Sequence, residues 1–316
     1  MSQLFFEEKS IICGESEPVL DALLRSGHDI PYGCRAGVCQ SCVMAAVSGT
    51  IPAKAQIGLS PAKVDLGFFL SCQCVPEEPL SVRRVSTSTL SVPGTVLDKT
   101  MLNDQVIRLR LTCDLKYQAG QYVTLWRDEH LGRSYSLASV PQVDDYLEFQ
   151  IKLVAGGHFS QWLYHHVQPG DEIAVQGPLG ECIFSAKESQ AILLAAIGTG
   201  LSPIYGIARQ ALISGHLGPI HLVVGARSKD SFYLQDELQA LSEQYSNFSV
   251  DTVCQTDGAE QGDIYQFCKT KFASLNGWRV YLCGAESFVK KMNKQSFLSG
   301  AAMGDISTDI FLPCPD

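Results

Sequence analysis

Three cysteines fall inside nine residues at Cys34, Cys39 and Cys42 of the stretch PYGCRAGVCQSC, and a fourth, Cys72, follows after 29 intervening residues. The spacing C-x4-C-x2-C with a distant fourth cysteine is a ligand pattern for a [2Fe-2S] cluster, and it commits the surrounding chain to fold as a tight loop around inorganic sulfur. Gly33, Ala36, Gly37 and Ser41 are small enough to let the backbone wrap closely and aim N–H groups at the sulfurs. Zinc and a scatter of buried structural thiols are the competing readings, but zinc favours paired C-x2-C knuckles, and only Cys39 and Cys42 form one. Cys74 competes with Cys72 for the fourth position, since in an extended segment both point to the same side.

The chain has 316 residues, enough for two or three domains with sizeable cores. Its net charge of -9 argues against nucleic acid or anionic lipid as a partner and permits a basic redox partner. The remaining cysteines, Cys13, Cys74, Cys113, Cys182, Cys254, Cys268, Cys283 and Cys314, show no disulfide framework, which implies a reducing compartment. MSQLFFEEKS lacks the basic start and apolar core of a signal peptide, and no run of 18 apolar residues occurs, so no membrane span and a cytoplasmic location are expected.

Along the chain, strands are expected at Leu4 to Phe6 and Ser10 to Cys13, then a helix with Pro18 in its first turn and Leu20, Leu23 and Leu24 on one face. RRVSTSTLS, residues 83–91, reads as a linker. From Val92 to about Ala186 the pattern is all-β: Ile107, Leu109 and Leu111 alternate with polar residues, as do Leu147, Phe149, Ile151 and Leu153, which suggests a small antiparallel barrel interrupted by a helix over 159–167. From Gln190 strands and helices alternate, with strands at 191–197, 220–226, 248–253 and 279–283, as in a parallel doubly wound sheet. The expected division is 1–84, 92–187 and 188–316.

Gly156 and Gly157 lead into the barrel's helix. A glycine approach to a helix N-terminus cradles phosphate, because unpaired N–H groups and the dipole point at the anion. Glycines at Gly198 and Gly200, flanking Thr199, likewise admit a pyrophosphate to a strand-to-helix turn.

Several of these motifs carry a resemblance. The context Leu70-Ser71-Cys72-Gln73 resembles the last-ligand segment of plant-type ferredoxin domains, which implies a β-grasp fold and Cys72, not Cys74, as the ligand. Arg133-Ser134-Tyr135-Ser136, placed between Gly120-Gln121-Tyr122 and Gly177-Pro178-Leu179-Gly180, resembles the flavin domain of the ferredoxin-NADP reductase superfamily. The resemblance implies Arg133 on the FAD pyrophosphate, Tyr135 against the isoalloxazine and Ser136 hydrogen-bonded to flavin N5, where hydride arrives. The phosphate cradle at the start of the barrel's helix assigns Gly157, His158, Phe159 and Ser160 to the FAD pyrophosphate, with the His158 ring itself an exposed loop side chain, and the resemblance places Lys152 as a basic residue near FAD. Gly198-Thr199-Gly200-Leu201-Ser202-Pro203 resembles the superfamily's nicotinamide-nucleotide turn, with Ile197 where the family usually has glycine. Tyr281-Leu282-Cys283-Gly284 resembles the strand end that sets Cys283 beside the nicotinamide, and Asp309-Ile310-Phe311 the acidic-x-Phe ending that folds over the flavin. Arg227, Lys229 and Asp230 are placed near the adenosine ribose.

As a whole the chain resembles the reductase components of bacterial multicomponent oxygenases and of the CDP-6-deoxy-sugar pathway. That resemblance implies a three-domain oxidoreductase passing a hydride from NAD(P)H, with NADH favoured, to FAD and then single electrons through a [2Fe-2S] cluster. The implied acceptor is a partner oxygenase, or a deoxysugar dehydratase, docking at the cluster loop around Arg35 to Gln40. A different class, a non-catalytic redox-sensing module, is the remaining alternative.

Overall fold

A computed structural model describes residues 2–256 and 262–312; Cys314 lies outside them. The chain builds three sheets in succession, each with its own core. The first contains β1 (Ser2–Phe6), β2 (Lys9–Cys13), β3 (Val43–Ser48), β4 (Phe68–Leu70) and β5 (Leu80–Arg84) in the order β2-β1-β5-β3-β4. It is mixed, with β1 and β5 parallel and the other pairs antiparallel. Helix α1 (Val19–Arg25) packs Leu20 and Leu23 into this core, while Leu24 is only partly buried. The short α2 (Pro61–Asp65) precedes β4.

The expected linker is more ordered than its composition suggests. Arg83 and Arg84 complete β5, and Thr87–Leu90 forms one helical turn, α3. Serine and threonine at 86–91 favour local side-chain bonds, as Ser91 Oγ to the Thr87 carbonyl shows at 2.8 Å.

The second sheet is antiparallel, built from β6 (Val92–Asn103), β7 (Val106–Cys113), β8 (Tyr122–Trp126), β9 (Gly132–Ser136), β10 (Leu147–Lys152) and β11 (Glu172–Leu179) in the order β10-β7-β6-β11-β8-β9. A bridge between Leu137 and Phe149 ties its last strand back to its first, which closes a barrel. Helix α4 (His158–His166) caps it, sending Phe159 and Leu163 into the barrel core. Ile107, Leu109 and Leu111 face that core from β7, and Leu147, Phe149 and Ile151 from β10. The polar positions Glu148 and Gln150 are buried as well, which alternation alone does not foresee. The reason is coverage by the next unit, whose Tyr233 hydroxyl donates to Gln150 Oε1 at 3.1 Å.

The third sheet is wholly parallel: β12 (Ile192–Ile197), β13 (Ile220–Ala226), β14 (Phe248–Cys254), β15 (Arg279–Ala285) and β16 (Ile306–Phe311), ordered β14-β13-β12-β15-β16. Helices α5 (Leu201–Ile213) and α6 (Gln235–Gln244) cover one face, and α7 (Ile264–Lys271) and α8 (Glu286–Leu298) the other, giving two apolar layers around one sheet. Buried on both faces, β12 reads as a continuous apolar run, as parallel strands do. Among the described residues no helix is long and apolar enough to cross a membrane.

Candidate redox site

The cysteine loop joins α1 to β3. Arg35, Gly37 and Gln40 take φ of 52°, 79° and 55°, and these left-handed turns wind the backbone around Cys34. The N–H groups of Ala36, Val38 and Cys39 each lie 3.3 Å from Cys34 Sγ, and that of Cys34 lies 3.4 Å from Cys39 Sγ. Ser41 Oγ donates to Cys39 Sγ at 3.4 Å and Gln73 Nε2 to Cys72 Sγ at 3.6 Å. The sulfurs fall into two pairs within hydrogen-bonding reach, Cys34 with Cys39 and Cys42 with Cys72. The bond from Cys39, reinforced by the backbone N–H groups, holds the Cys34 thiol down at about 5, and that from Cys42 holds Cys72 at about 7. Their pair partners are pushed up. The three N–H groups thus favour negative charge on Cys34 in particular.

Among the described residues no group of three or more His, Cys, Asp or Glu side chains is set around a single metal ion. Two separate cysteine pairs suit two irons instead, with two thiolates for each. Cys74 stands apart: it is wholly buried in the first core, its carbonyl accepts from Val19 N at 2.8 Å, and burial pushes its thiol up to about 12. Its thiol neighbour is Cys13 of β2, not any of the four paired sulfurs.

The loop lies against the barrel. Tyr122 Oη donates to the Val38 carbonyl at 3.0 Å, Thr124 Oγ1 to that of Cys39 at 2.9 Å and Gln176 Nε2 to that of Gln40 at 3.5 Å. Of the stretch from Arg35 to Gln40, expected as the docking loop, Cys39 and Gln40 are buried against the barrel, whereas Arg35, Ala36 and Val38 are exposed. The glycine motifs of the barrel make this seat possible, since a Cβ on Gly180 would come within 2.6 Å of the Tyr122 ring.

Tyr122 pairs with Ser136 across β8 and β9. Ser136 Oγ donates to Asp309 Oδ2 at 2.8 Å, and its carbonyl accepts from Ser202 Oγ at 2.9 Å. Asp309 in turn stands opposite Cys283 in the β15–β16 pair. Ser136, Cys283 and Asp309, distant in sequence, are therefore neighbours. Burial raises the Asp309 carboxyl from its ordinary 3.8 to about 6, only partly offset by the Ser136 hydroxyl. Cys283 is fully buried, and its thiol is pushed up by burial and by the adjacent Cys182. Burial also pushes the Tyr122 phenol up, with Asp309, Cys39 and Cys34 adding in that order.

The remaining predicted residues divide. Tyr135 packs its ring 5.5 Å from that of Phe159, and Arg133 Nη1 lies 3.0 Å from the Gly132 carbonyl. Phe159 is a core side chain, and the Ser160 hydroxyl accepts from Val154 N at 3.0 Å. What remains for an anion there is the backbone at the start of α4, with Gly157 close-packed on Val154 and His158 exposed. Lys152 is exposed at the end of β10, Phe311 is half-buried opposite Ala285, and Arg227 is exposed on the loop after β13.

At the Gly198-Thr199-Gly200 turn, a Cβ on Gly200 would fall 2.2 Å from the Cys283 carbonyl, so this turn presses directly on β15. Ile197, where a glycine was expected, is accommodated by glycines on both flanking strands: a Cβ on Gly225 would lie 3.1 Å and one on Gly284 2.7 Å from its side chain. The sequence reading missed Tyr233 and Gln150. Tyr233 Oη reaches the Gly198 carbonyl at 3.4 Å, and Gln150 Nε2 is buried with no partner among the described residues. Buried polar atoms within apolar alternation are the signal that marks such positions.

Three family models match in order: a 2Fe-2S iron-sulfur cluster binding domain over residues 6–77, an oxidoreductase FAD-binding domain over 93–184 and an oxidoreductase NAD-binding domain over 193–294. The chain is 32% identical over 307 residues, covering 93% of both chains, to the ferredoxin–NAD(P)(+) reductase component of the naphthalene 1,2-dioxygenase/salicylate 5-hydroxylase systems of Ralstonia sp.. It is 32% identical over 308 residues, again 93% of each, to the corresponding component of the naphthalene 1,2-dioxygenase system of Pseudomonas putida. Among solved structures it resembles the Amycolatopsis cytochrome P450 reductase GcoB, with a TM-score of 0.70, 26% identity and 99% of each chain covered. The ferredoxin reductase in carbazole 1,9a-dioxygenase shares the fold, with a TM-score of 0.66 at 22% identity over 98% of each chain. The chain is an oxidoreductase whose cofactors are a [2Fe-2S] cluster and FAD and whose substrate is NAD(P)H, and it belongs to the family of three-domain ferredoxin/FAD/NAD reductases that serve as oxygenase reductase components.

Proposed function

We propose that this protein takes hydride from NADH and delivers single electrons to an oxygenase component in the cytoplasm, through units spanning 1–84, 92–187 and 188–316. The names of its relatives in Ralstonia and Pseudomonas putida support that class of acceptor. Bound FAD supplies the conversion of a two-electron hydride into the single electrons that a [2Fe-2S] cluster accepts. Cys34, Cys39, Cys42 and Cys72 hold the cluster as thiolates, and the ring of N–H donors around Cys34 keeps that sulfur charged. The Gly198 turn receives the nucleotide's pyrophosphate, and Cys283 fills the strand end beneath the nicotinamide without supplying a charge. Ser136, held by Asp309, orients its hydroxyl toward the reacting edge of the flavin. Arg133 and the start of α4 bind the FAD pyrophosphate, and Tyr135 and Phe311 flank the ring. The acceptor docks on the exposed rim at Arg35 and Ala36.

The observation that carries this reading is the convergence of Ser136, Asp309 and Cys283 one strand away from the seated cysteine loop. The test is NADH-dependent reduction of ferricyanide, which takes electrons from reduced flavin, alongside cytochrome c and an oxygenase component, which need the cluster. Cys34→Ser, Cys39→Ser, Cys42→Ser or Cys72→Ser should lose iron and the second activity and keep the first, whereas Cys74→Ser should keep both. Iron retained in the Cys72 variant and lost in the Cys74 variant would reverse the ligand assignment.

A further inference from the structure

Three consecutive carbonyls of the cluster loop, those of Val38, Cys39 and Gln40, each accept a hydrogen bond from a barrel side chain. The donors are not incidental surface groups. Thr124 is fully buried, and its hydroxyl lies 3.0 Å from Ser134 Oγ; since its single proton goes to the Cys39 carbonyl, Ser134 supplies the other bond. Gln176 is fixed from behind by Trp126 Nε1 at 2.9 Å. Tyr122 and Thr124, two residues apart on β8, share one face, opposite Ser136 and Ser134 of β9. That face therefore runs unbroken from the cysteine loop to the Ser136–Asp309 pair.

Other contacts between the first unit and the barrel lie at the rim. His130 approaches Asp29 at 3.1 Å and Ser86 donates to Glu129 at 2.9 Å, all on exposed side chains, where such contacts contribute little. The bonds to the Cys39 and Gln40 carbonyls are buried, and their loss is costly because each would leave an acceptor out of water with nothing to accept from, while the Tyr122 bond to Val38 closes the exposed edge of the same seat.

Resting on the proposed flavin-to-cluster path, we propose that Tyr122 and Thr124 are positioning residues for the internal electron transfer: they fix the Val38–Cys39 backbone on β8 so that this is where electrons enter the cluster. One electron lost by the reduced flavin is gained by one iron, and after the protein acceptor has taken that electron from the cluster a second transfer discharges the other electron of the hydride from NAD(P)H. Neither side chain touches the nicotinamide, so hydride transfer itself does not depend on the clamp.

The test uses full-length holoenzyme carrying Tyr122→Phe and Thr124→Val together, changes that keep shape and remove both donors. With FAD and iron content checked, anaerobic mixing with NADH should bleach the flavin at the wild-type rate, while cluster reduction slows by roughly tenfold, the scale set by losing one buried and one exposed hydrogen bond. Small-angle scattering of the same protein should show a larger radius of gyration, a readout independent of turnover. Thr124→Ser, which keeps the hydroxyl, should behave as wild type in both. If the double variant loses its cluster, Tyr122→Phe alone, its ring still seated on Gly180, replaces it, with a several-fold slowing expected. Cluster reduction and scattering both at wild-type values would overturn the clamp. Failure of NADH to bleach the flavin of the wild-type protein would instead overturn the underlying reductase reading, so the two failures are separable.

Discussion

The Ser136 hydroxyl donates to the Asp309 carboxylate across 2.8 Å, joining a barrel strand to the edge strand of the nucleotide sheet. Among the described residues no cation pairs with this carboxyl, and the one hydroxyl stabilises its charge less than burial opposes it, so the group rises to about 6.

A pH dependence follows from that shift. A carboxyl raised on folding makes the native state bind more protons than the unfolded one between its ordinary 3.8 and about 6. Its contribution to stability is fully present below that window and is lost as pH rises through it. Asp309→Asn keeps an acceptor for Ser136 and removes the charge, so it should melt higher than wild type at pH 7.5, with the gap shrinking toward pH 4.5. The rate of flavin reduction by NADH should lose any inflection near pH 6 in this variant. A melting difference that does not change with pH would show that Asp309 is not the titrating group.

Gly200 and Gly198 offer a contrast in the nucleotide turn. A Cβ on Gly200 meets the Cys283 carbonyl at 2.2 Å and its carbonyl carbon at 2.6 Å, both backbone atoms that cannot step aside. At Gly198 a Cβ meets nothing within 4 Å, and the only obstacle is a φ of 54°. Gly200→Ala should therefore cost about 1–3 kcal/mol of stability by overpacking and weaken NAD(P)H binding. Gly198→Ala should cost only about 1–2 kcal/mol of left-handed strain. Thermal melts and nucleotide titrations of the two variants check the order, and equal effects would contradict it.

Much of this was legible in the residues. The cysteine spacing located the redox loop because Cys34, Cys39 and Cys42 fall within nine residues, and the alternation in β7 and β10 marked their core faces because barrel interiors sort by polarity. What composition could not show were arrangements made between units. Glu148 and Gln150 look solvent-facing by alternation and are buried by a neighbouring unit. The serine-rich residues 86–91 look like open linker and hold one helical turn. Phe159 and Ser160 sit in a phosphate-cradle motif, yet their side chains serve the barrel core and the turn. The seating of Val38 to Gln40 on β8 joins residues more than 80 positions apart and leaves no local trace.

Arg227, Lys229 and Asp230 lie close together on the exposed loop after β13, the place we propose for the adenosine ribose. Backbone contacts fix the loop: Thr256 Oγ1 donates to the Arg227 carbonyl at 2.7 Å, and Asn103 Nδ2 to that of Asp230 at 3.4 Å. An acidic residue favours a free 2′-hydroxyl and repels a 2′-phosphate, which the two cations would otherwise attract. Asp230→Asn should shift the kcat/KM ratio toward NADPH by roughly tenfold, the effect of about 1.4 kcal/mol. An unchanged ratio would place Asp230 away from the ribose.

Arg209 of α5 forks onto Asp144 of the barrel at 2.7 and 2.9 Å, and the Asp144 side chain is only 5% exposed. The same carboxylate accepts from Val140 N at 2.7 Å, so one anion braces a barrel turn and receives the nucleotide unit's helix. Removing the cation alone strands a buried charge, which typically costs about 3–5 kcal/mol, whereas removing both partners avoids that penalty. Arg209→Met should thus lower the melting temperature more than Arg209→Met combined with Asp144→Asn, which still offers an acceptor to Val140. The single variant should also slow flavin reduction by NADH, because α5 begins at Leu201, directly after the Gly198 turn, and carries that turn with it. Measured as a double-mutant cycle, the pair should couple by roughly 1–3 kcal/mol. Effects that add within about 0.5 kcal/mol would mean that the helix is held to the barrel by apolar packing alone and that the ion pair is dispensable.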